Sequence, residues 1–404
     1  MEGFNLLQFF QGIYSFFISS PETAILRIVL ILIGFLILYL CYKKTLDPLI
    51  LLPMGLMMVV VNAGMLVTGS GKLGTLFIDP LISDTNDLMN ILQINFLQPI
   101  YTFTFSNGLI ACLIFMGIGV MTDLDYLIAK PVPSMLIAFA AELGTVVTLP
   151  IAMMFGLNVK EAAAIAMVGG ADGPMVLYTS LILAKDLFVP ISIIAYVYLS
   201  LTYVGYPYLI NLMIPKELRG IRMNIRDIPQ VSSTQKFVFS IVAAFVLSLL
   251  FPVAAPLFGS FFVGVAIKEM DIARFKEFLE GPLLFGSTFF LGVVLGALFS
   301  VDIISNPIVL KLLILGIISL LLSGIGGLIG GLIYYKISKG KVNPLIGIAG
   351  VSCVPTTAKV AQYAAYKANK LAMILPYAMG PNVAGVITTA IICGIYVTAI
   401  PLLG

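Results

Sequence analysis

Few side chains in this sequence can do chemistry, and those that can stand where a soluble protein would not put them. Asp172 lies in AIAMVGGADGP (164–174), inside an apolar block with no Lys or Arg within a helical turn. A carboxylate at mid-bilayer costs about 2.5–3.5 kcal/mol on insertion scales. It must therefore be paired, wetted, or neutralised by a cation or a proton. A second apolar stretch, LIGIAGVSCVP (345–355), leads into TTAK and supplies Ser352, Thr356 and Thr357; Asn343 precedes it, and Asn382 follows in GPNVAG. One carboxylate with neutral oxygens balances a single monovalent cation, and all-oxygen ligation suits a hard ion. Lys359, one turn past the second break, either snorkels or faces an anionic partner. Tyr198, in AYVYLS, is either a buried hydroxyl that has found an acceptor or an acid. Glu142, in the apolar run Ser134–Phe155, is a further candidate intramembrane acid.

What is missing narrows the chemistry. The chain has no histidine, so His general bases, Ser-His-Asp triads and His-ligated zinc or haem are excluded. Cys41, Cys112, Cys353 and Cys393 are far apart and form no CxxC, which leaves no thiolate metal site or Fe–S cluster. Proton chemistry falls to Asp, Glu, Lys, Tyr or water. A net charge of +3 with no long basic run excludes a nucleic-acid footprint.

The elements that must hold these residues are membrane spans. Of 404 residues, 60% are apolar and 10% charged, far from the soluble balance of about 45–50% and 25%. A span needs about 20 mostly apolar residues, and continuous rather than alternating runs exclude a barrel. The expected fold is all-α: a polytopic helical membrane protein with about 10–11 hydrophobic segments. The expected organisation is membrane segments over 1–69, an interfacial or extramembrane stretch over 70–107 (Lys72, Asp79, Asp84, Asp87), a first half over 108–215, a basic loop over 216–236, and a second half over 237–404. Lys43 and Lys44, the loop with Lys216, Arg219, Arg222 and Arg226, and the group Lys336, Lys339 and Lys341 mark cytoplasmic candidates by the positive-inside rule.

The two halves echo each other. At an offset of 181 residues, Ile165 meets Ile346, Gly169 meets Gly350, Pro174 meets Pro355, Ile193 meets Ile374 and Tyr196 meets Tyr377. Paired Gly/Pro interruptions in two halves point to a transporter's binding site, formed by inverted-topology repeats with broken helices or hairpins. The bland alternative is two unrelated proline kinks. The GPNVAG segment reads as a further break near Pro381.

KEAAAIAMVGGADGP, AYVYLS, KELRGIRM, NPLIGIAGVSCVPTTAK and GPNVAG, with FMGIGVMTDLDYL upstream, resemble in order and spacing the beta subunit of the sodium-pumping biotin-dependent decarboxylases. The resemblance implies a primary pump in a bacterial or archaeal cytoplasmic membrane. It decarboxylates carboxybiotin and uses the released free energy to export Na+. The partners it implies are a biotin carrier protein or domain, a carboxyltransferase alpha subunit, a small membrane gamma/delta subunit and further copies of the chain as a trimer. The family's functional positions fall here at Asp172, Tyr198, Asn343, Gly347, Ser352 and Asn382. On this reading Asp172, Asn343, Gly347, Ser352 and Asn382 hold sodium, Lys359, Ser352 and Asn382 bind carboxybiotin, and Tyr198, Lys359 and Asp172 are catalytic. The family's arginine falls at Lys359, which keeps the charge but loses the bidentate fork. Met175 stands where the family commonly has Thr. The competing reading is a non-enzymatic sodium-coupled transporter of an organic anion, which explains the breaks but not the joint motif match.

Overall fold

The computed structural model describes residues 9–67, 73–80, 82, 85–224 and 228–403; Lys72, Asp84 and Arg226 lie outside the described residues. Among the described residues, eight helices are long and apolar enough to cross a bilayer, and two shorter apolar helices accompany them. With Leu109–Met121 these account for the ten to eleven apolar segments expected. The chain divides into two compact units, one of residues up to Ile110 with Gly286–Leu310, the other of Ala111–Phe285 with Lys311–Gly404.

The first unit holds α1 (Gln11–Ile18), α2 (Pro21–Tyr42) and α3 (Pro48–Ala63), and the starts of α2 and α3 are set by caps. Ser20 accepts from the Thr23 amide and Asp47 from the Leu49 amide, each followed by a proline whose missing N–H is no loss at that position. Arg27 is fully buried between them. Its Nε and Nη2 donate to Asn62 O at 3.1 and 2.9 Å, Nη1 donates to Ser15 Oγ at 3.0 Å, and its guanidinium sits 3.7 Å over the Phe16 ring. Leu66–Val67 pairs antiparallel with Leu73–Gly74, a two-residue ribbon within the stretch expected to be interfacial.

The second unit carries the repeat. Its first copy is α5 (Pro131–Met154), a hairpin of α6 (Val159–Ala166) and α7 (Gly173–Leu183), then α8 (Phe188–Met213), with α4 (Leu109–Met121) upstream. Between the copies in chain order lie α9 (Ser233–Leu250) and α10 (Ala255–Glu269), then α11 (Leu284–Leu298), which from Gly286 on belongs to the first unit. The second copy is α12 (Ile308–Ile337), a hairpin of the 3₁₀ arm Pro344–Gly350 and α13 (Thr356–Ala368), then α14 (Leu375–Leu403).

Close packing shows how the copies interlock. α5 and α12 cross antiparallel at small residues: a Cβ at Gly326 would collide with Ala140 O, and one at Gly144 with Ser319 O. Such contacts let helices approach without a hydrophobic driving force in lipid. α8 runs parallel to α12, where Tyr198 and Tyr206 donate to Leu313 O and Leu320 O at 2.7 and 3.0 Å. α14 runs parallel to α5, where Tyr396 donates to Thr145 O at 3.2 Å. Shifted by the repeat offset, Tyr198 beside Gly316 becomes Met379 beside Met135; the structure has Gly380 beside Ser134. Each copy's last helix thus packs on the other copy's first.

The hairpins enter from opposite ends. Asn158–Glu161 and Leu183–Leu187, the open ends of the first, line one cleft of about 430 Å³ together with Ile400 near the end of α14. The open end of the second holds the basic loop: Asn343 Nδ2 donates to Arg219 O and Ile221 O at 2.9 Å, and Asn369 Nδ2 donates to Gly220 O at 2.9 Å. That end lies at the start of α14, whose 29 residues make a rod of about 43 Å at 1.5 Å rise per residue. This is the inverted topology. The expected break at GPNVAG is corrected by the structure, because α14 continues through Pro381. One proline removes one backbone donor, which packed membrane helices accommodate.

Candidate functional site at the hairpin junction

The first hairpin turns because its helix tightens and then reverses hand. α6 starts on a capping box, Asn158 Oδ1 accepting from the Glu161 amide and Glu161 Oε2 from the Asn158 amide. The chain becomes 3₁₀ over Met167–Gly170, and Ala171 takes a left-handed conformation, φ 53°. A residue with a Cβ costs roughly 1–2 kcal/mol there. Asp172 is extended and caps α7, its Oδ1 accepting from the Met175 amide at 3.1 Å. That is the one hydrogen bond of its side chain among the described residues, and the carboxylate is 5% exposed.

The second hairpin ends its 3₁₀ arm at Val351 and restarts as α13 at Thr356. Its tip is fastened to the first: the Ser352 amide donates to Gly170 O at 3.0 Å and Ser352 Oγ donates to the same oxygen at 2.5 Å. Asn382 reaches in from α14. Its Nδ2 donates to Ala349 O, Val351 O and Thr357 Oγ1 at 2.9, 3.2 and 3.0 Å. Three acceptors on one side fix which end of the amide is nitrogen. The opposite atom, Oδ1, is buried and accepts nothing among the described residues. Freed carbonyls, an under-used carboxylate and an orphaned amide oxygen make an all-oxygen environment. No group of three His, Cys, Asp or Glu able to hold a metal exists among the described residues.

Ser352 and Asn382 are tied into this junction through Gly170 O and Val351 O, and Asp172 follows Gly170 by two residues on the first tip. Asn343 and Gly347 do not reach the junction. Asn343 sits at the outer end of the second hairpin, where Nδ2 holds the 219–221 loop and Oδ1 accepts from the Leu345 amide at 3.0 Å. Gly347 is a packing residue, since a Cβ there would collide with Gly327 O. Lys359 lies one turn beyond the tip on α13; it is exposed, and its side chain has no hydrogen bond or ion pair among the described residues. Tyr198 places its hydroxyl on Leu313 O, in α12. Tyr196 is the tyrosine that borders the first tip: its Oη would stand 2.7 Å from a Cβ at Gly173, and the hydroxyl is buried without a partner among the described residues.

Glu142 has far more company than the sequence indicates. It is 3% exposed, at the α5–α12 crossing, accepts from Thr145 Oγ1 at 2.6 Å, and lies within hydrogen-bond distance of Thr389 Oγ1 and, at 3.4 Å, of Thr388 Oγ1. An acid amid an apolar run is the signal that marks it. Two of its three threonine partners, Thr388 and Thr389, stand 246 and 247 residues away, where no local pattern reaches.

Two inverted, interlocked repeats with a carboxylate and freed carbonyls at the meeting point of their hairpins define a membrane protein of the ion-translocating class. A family model described as the Na+-transporting oxaloacetate decarboxylase beta subunit matches residues 26–400. The carboxybiotin decarboxylase of Malonomonas rubra is 53% identical over 399 residues, covering 99% of each chain. The methylmalonyl-CoA decarboxylase subunit beta of Veillonella parvula and the glutaconyl-CoA decarboxylase subunit beta of Acidaminococcus fermentans are each 34% identical over 367 residues, covering 91% of this chain. The chain belongs to this family of sodium-transporting, biotin-dependent decarboxylase beta subunits.

Proposed function

We propose that this chain decarboxylates carboxybiotin at the wetted flank of its second hairpin and uses the released free energy to move Na+ through the junction of the two hairpins. One observation carries the reading. A buried carboxylate, Asp172, stands at the dry tip, and an unpaired cation, Lys359, stands one turn beyond the other tip on an accessible surface. Na+ is held by Asp172, Ser352 and the orphaned Oδ1 of Asn382. Asn343 and Gly347 shape the second hairpin and stand outside that set.

Lys359 attracts the carboxylate of carboxybiotin, and the α13 N-terminus adds positive potential at the same place. The C–N bond breaks and CO2 leaves. The ureido nitrogen keeps the electron pair and takes a proton. Tyr198 already commits its hydroxyl proton to Leu313 O, so water reaching the Lys359 side is the donor. The end bearing Lys216, Arg219, Arg222, Lys336, Lys339 and Lys341 is cytoplasmic, whereas the opposite end mixes Lys160 and Lys185 with Glu161 and Asp186. A biotin carrier protein or domain presents the substrate from that basic side. A carboxyltransferase alpha subunit loads it, a small gamma/delta subunit and further copies of the chain (a trimer) complete the assembly, and the membrane is the cytoplasmic one.

The test is decarboxylation of free carboxybiotin by the purified chain, with and without Na+. CO2 release that needs Na+ is the expected result. Absence of CO2 release, together with sodium-coupled uptake of an organic anion into vesicles, would overturn the proposal.

A further inference from the structure

Glu142 takes no part in the reaction just described, yet it is wired to the junction. From Glu142 Oε1 a hydrogen bond runs to Thr389 Oγ1; Thr389 Oγ1 lies 3.1 Å from Ser352 Oγ; Ser352 Oγ lies 2.5 Å from Gly170 O. Three links in series need three protons, and each hydroxyl brings only one. Gly170 O is a pure acceptor, so Ser352 spends its proton there. Thr389 must then supply the Ser352–Thr389 link, and the last link, between Thr389 and Glu142, lacks a proton unless the carboxyl carries it. Thr145 already donates to the other carboxyl oxygen, and Thr388 spends its proton on Gly385 O at 2.9 Å. A neutral Glu142 satisfies every link. An ionised Glu142 turns the chain round: Thr389 donates to the carboxylate, Ser352 donates to Thr389, and Gly170 O loses its hydroxyl donor.

We propose that Glu142 is a proton-binding site whose loading, relayed by Thr389 and Ser352, opposes cation binding at the hairpin junction. With Glu142 protonated, both lone pairs of Gly170 O are occupied and the Ser352 hydroxyl is engaged at both ends. Loss of that proton frees one lone pair of Gly170 O, two residues from Asp172 along the first tip, the other staying with the Ser352 amide. It also frees the lone pairs of the Ser352 hydroxyl, where a cation needs oxygen ligands. Glu142 acts through two hydroxyls and touches no cation ligand itself. The charged and titratable groups facing it are few. Asp172, from the first hairpin, is within electrostatic reach, and Tyr396, from α14, donates to Thr145 O. α12 offers Ser319 and Ser323, and no Lys or Arg pairs with Glu142 among the described residues. Linkage requires reciprocity: if the proton weakens Na+ binding, Na+ must expel the proton.

The inference rests on the proposed Na+ site, and the test separates the two. Na+ is added to the full chain in detergent at several pH values, with binding followed by thermal shift and released protons by an indicator dye. In the native chain the apparent Na+ Kd should rise as pH falls, approaching about tenfold per pH unit for each competing proton. Glu142→Gln, whose amide donates to Thr389 as the neutral acid does, should bind Na+ several-fold more weakly at high pH and release fewer protons per ion. Thr389→Val keeps the acid but cuts the relay, and should also release fewer protons. Proton release and pH dependence unchanged in both variants would overturn this inference alone. Failure of the native chain to bind Na+ at any pH would remove the Na+ site and this inference with it.

Discussion

The two hairpins share a 3₁₀ approach to their tips and differ in their water. In the first, α7 is buried along nearly its whole length, the arms are apolar beyond Lys160 and Glu161 at the open end, and one carboxylate sits at the tip. In the second, α13 reads TTAKVAQYAAYKA and shows water Lys359, Tyr363, Tyr366 and Lys367, the last 4.5 Å over the Tyr363 ring. Such polar groups do not face lipid. The offset that superposes the repeats puts Asp172 on Cys353 and Tyr178 on Lys359. Symmetry therefore builds the frame, and on the proposed function broken symmetry assigns the work: a dry tip holds charge, and a wet arm meets a substrate that arrives through water.

Exchanging the chemistry of the two tips breaks this comparison most severely. Asp172→Asn should abolish Na+-dependent turnover, a loss of about 100-fold or more, because even groups that only support metal ligands are worth 10–100-fold. Carboxybiotin turnover that keeps its native Na+ dependence in this variant would remove Asp172 from the mechanism. Next is the wet side. Lys359→Ala should raise the KM for carboxybiotin by about 10–100-fold, in line with a charge-assisted bond of about 1.5–3 kcal/mol, while leaving Na+ binding intact; Lys359→Arg should restore it. A KM that does not move would make Lys359 a snorkelling residue. Gly173→Ala forces a methyl against the Tyr196 ring and should cost about 1–3 kcal/mol by overpacking, read from thermal unfolding. The smallest effect separates the two tyrosines. Tyr198→Phe should lower stability by about 1 kcal/mol through its lost bond to Leu313 O, with turnover within a few-fold of native. Tyr196→Phe, which deletes an unpartnered hydroxyl, should be neutral or stabilising. A collapse of turnover in Tyr198→Phe would return the proton to that residue.

Gly and Pro at matched spacing, and a carboxylate with no local partner, made the hairpin tips and Asp172 legible in the sequence, because both are local signals. Pro381 misled for the same reason. A proline looks alike whether the helix breaks or continues, and the packing of α14 decides. In AYVYLS the two tyrosines lie two residues apart, about 200° around a helix, so only the neighbours reveal that Tyr196 borders the tip while Tyr198 turns to α12. The threonine cradle of Glu142 was illegible because it closes only across the whole second unit.

The exchange of partners between the repeats also bears on how the chain is made. α5 leaves the ribosome more than two hundred residues before α14, its parallel partner, and until then Glu142 has only Thr145 for company. Neither repeat owns a complete bundle. A chain stopped before Leu375 leaves an acid in the lipid without its donors, at a cost that unpaired polar groups make steep. Such a truncated chain should be recognised by membrane proteases rather than persist as a lesser pump. The molecule is committed to assembling late and at once, which is the slow regime for any fold whose contacts are so distant in sequence.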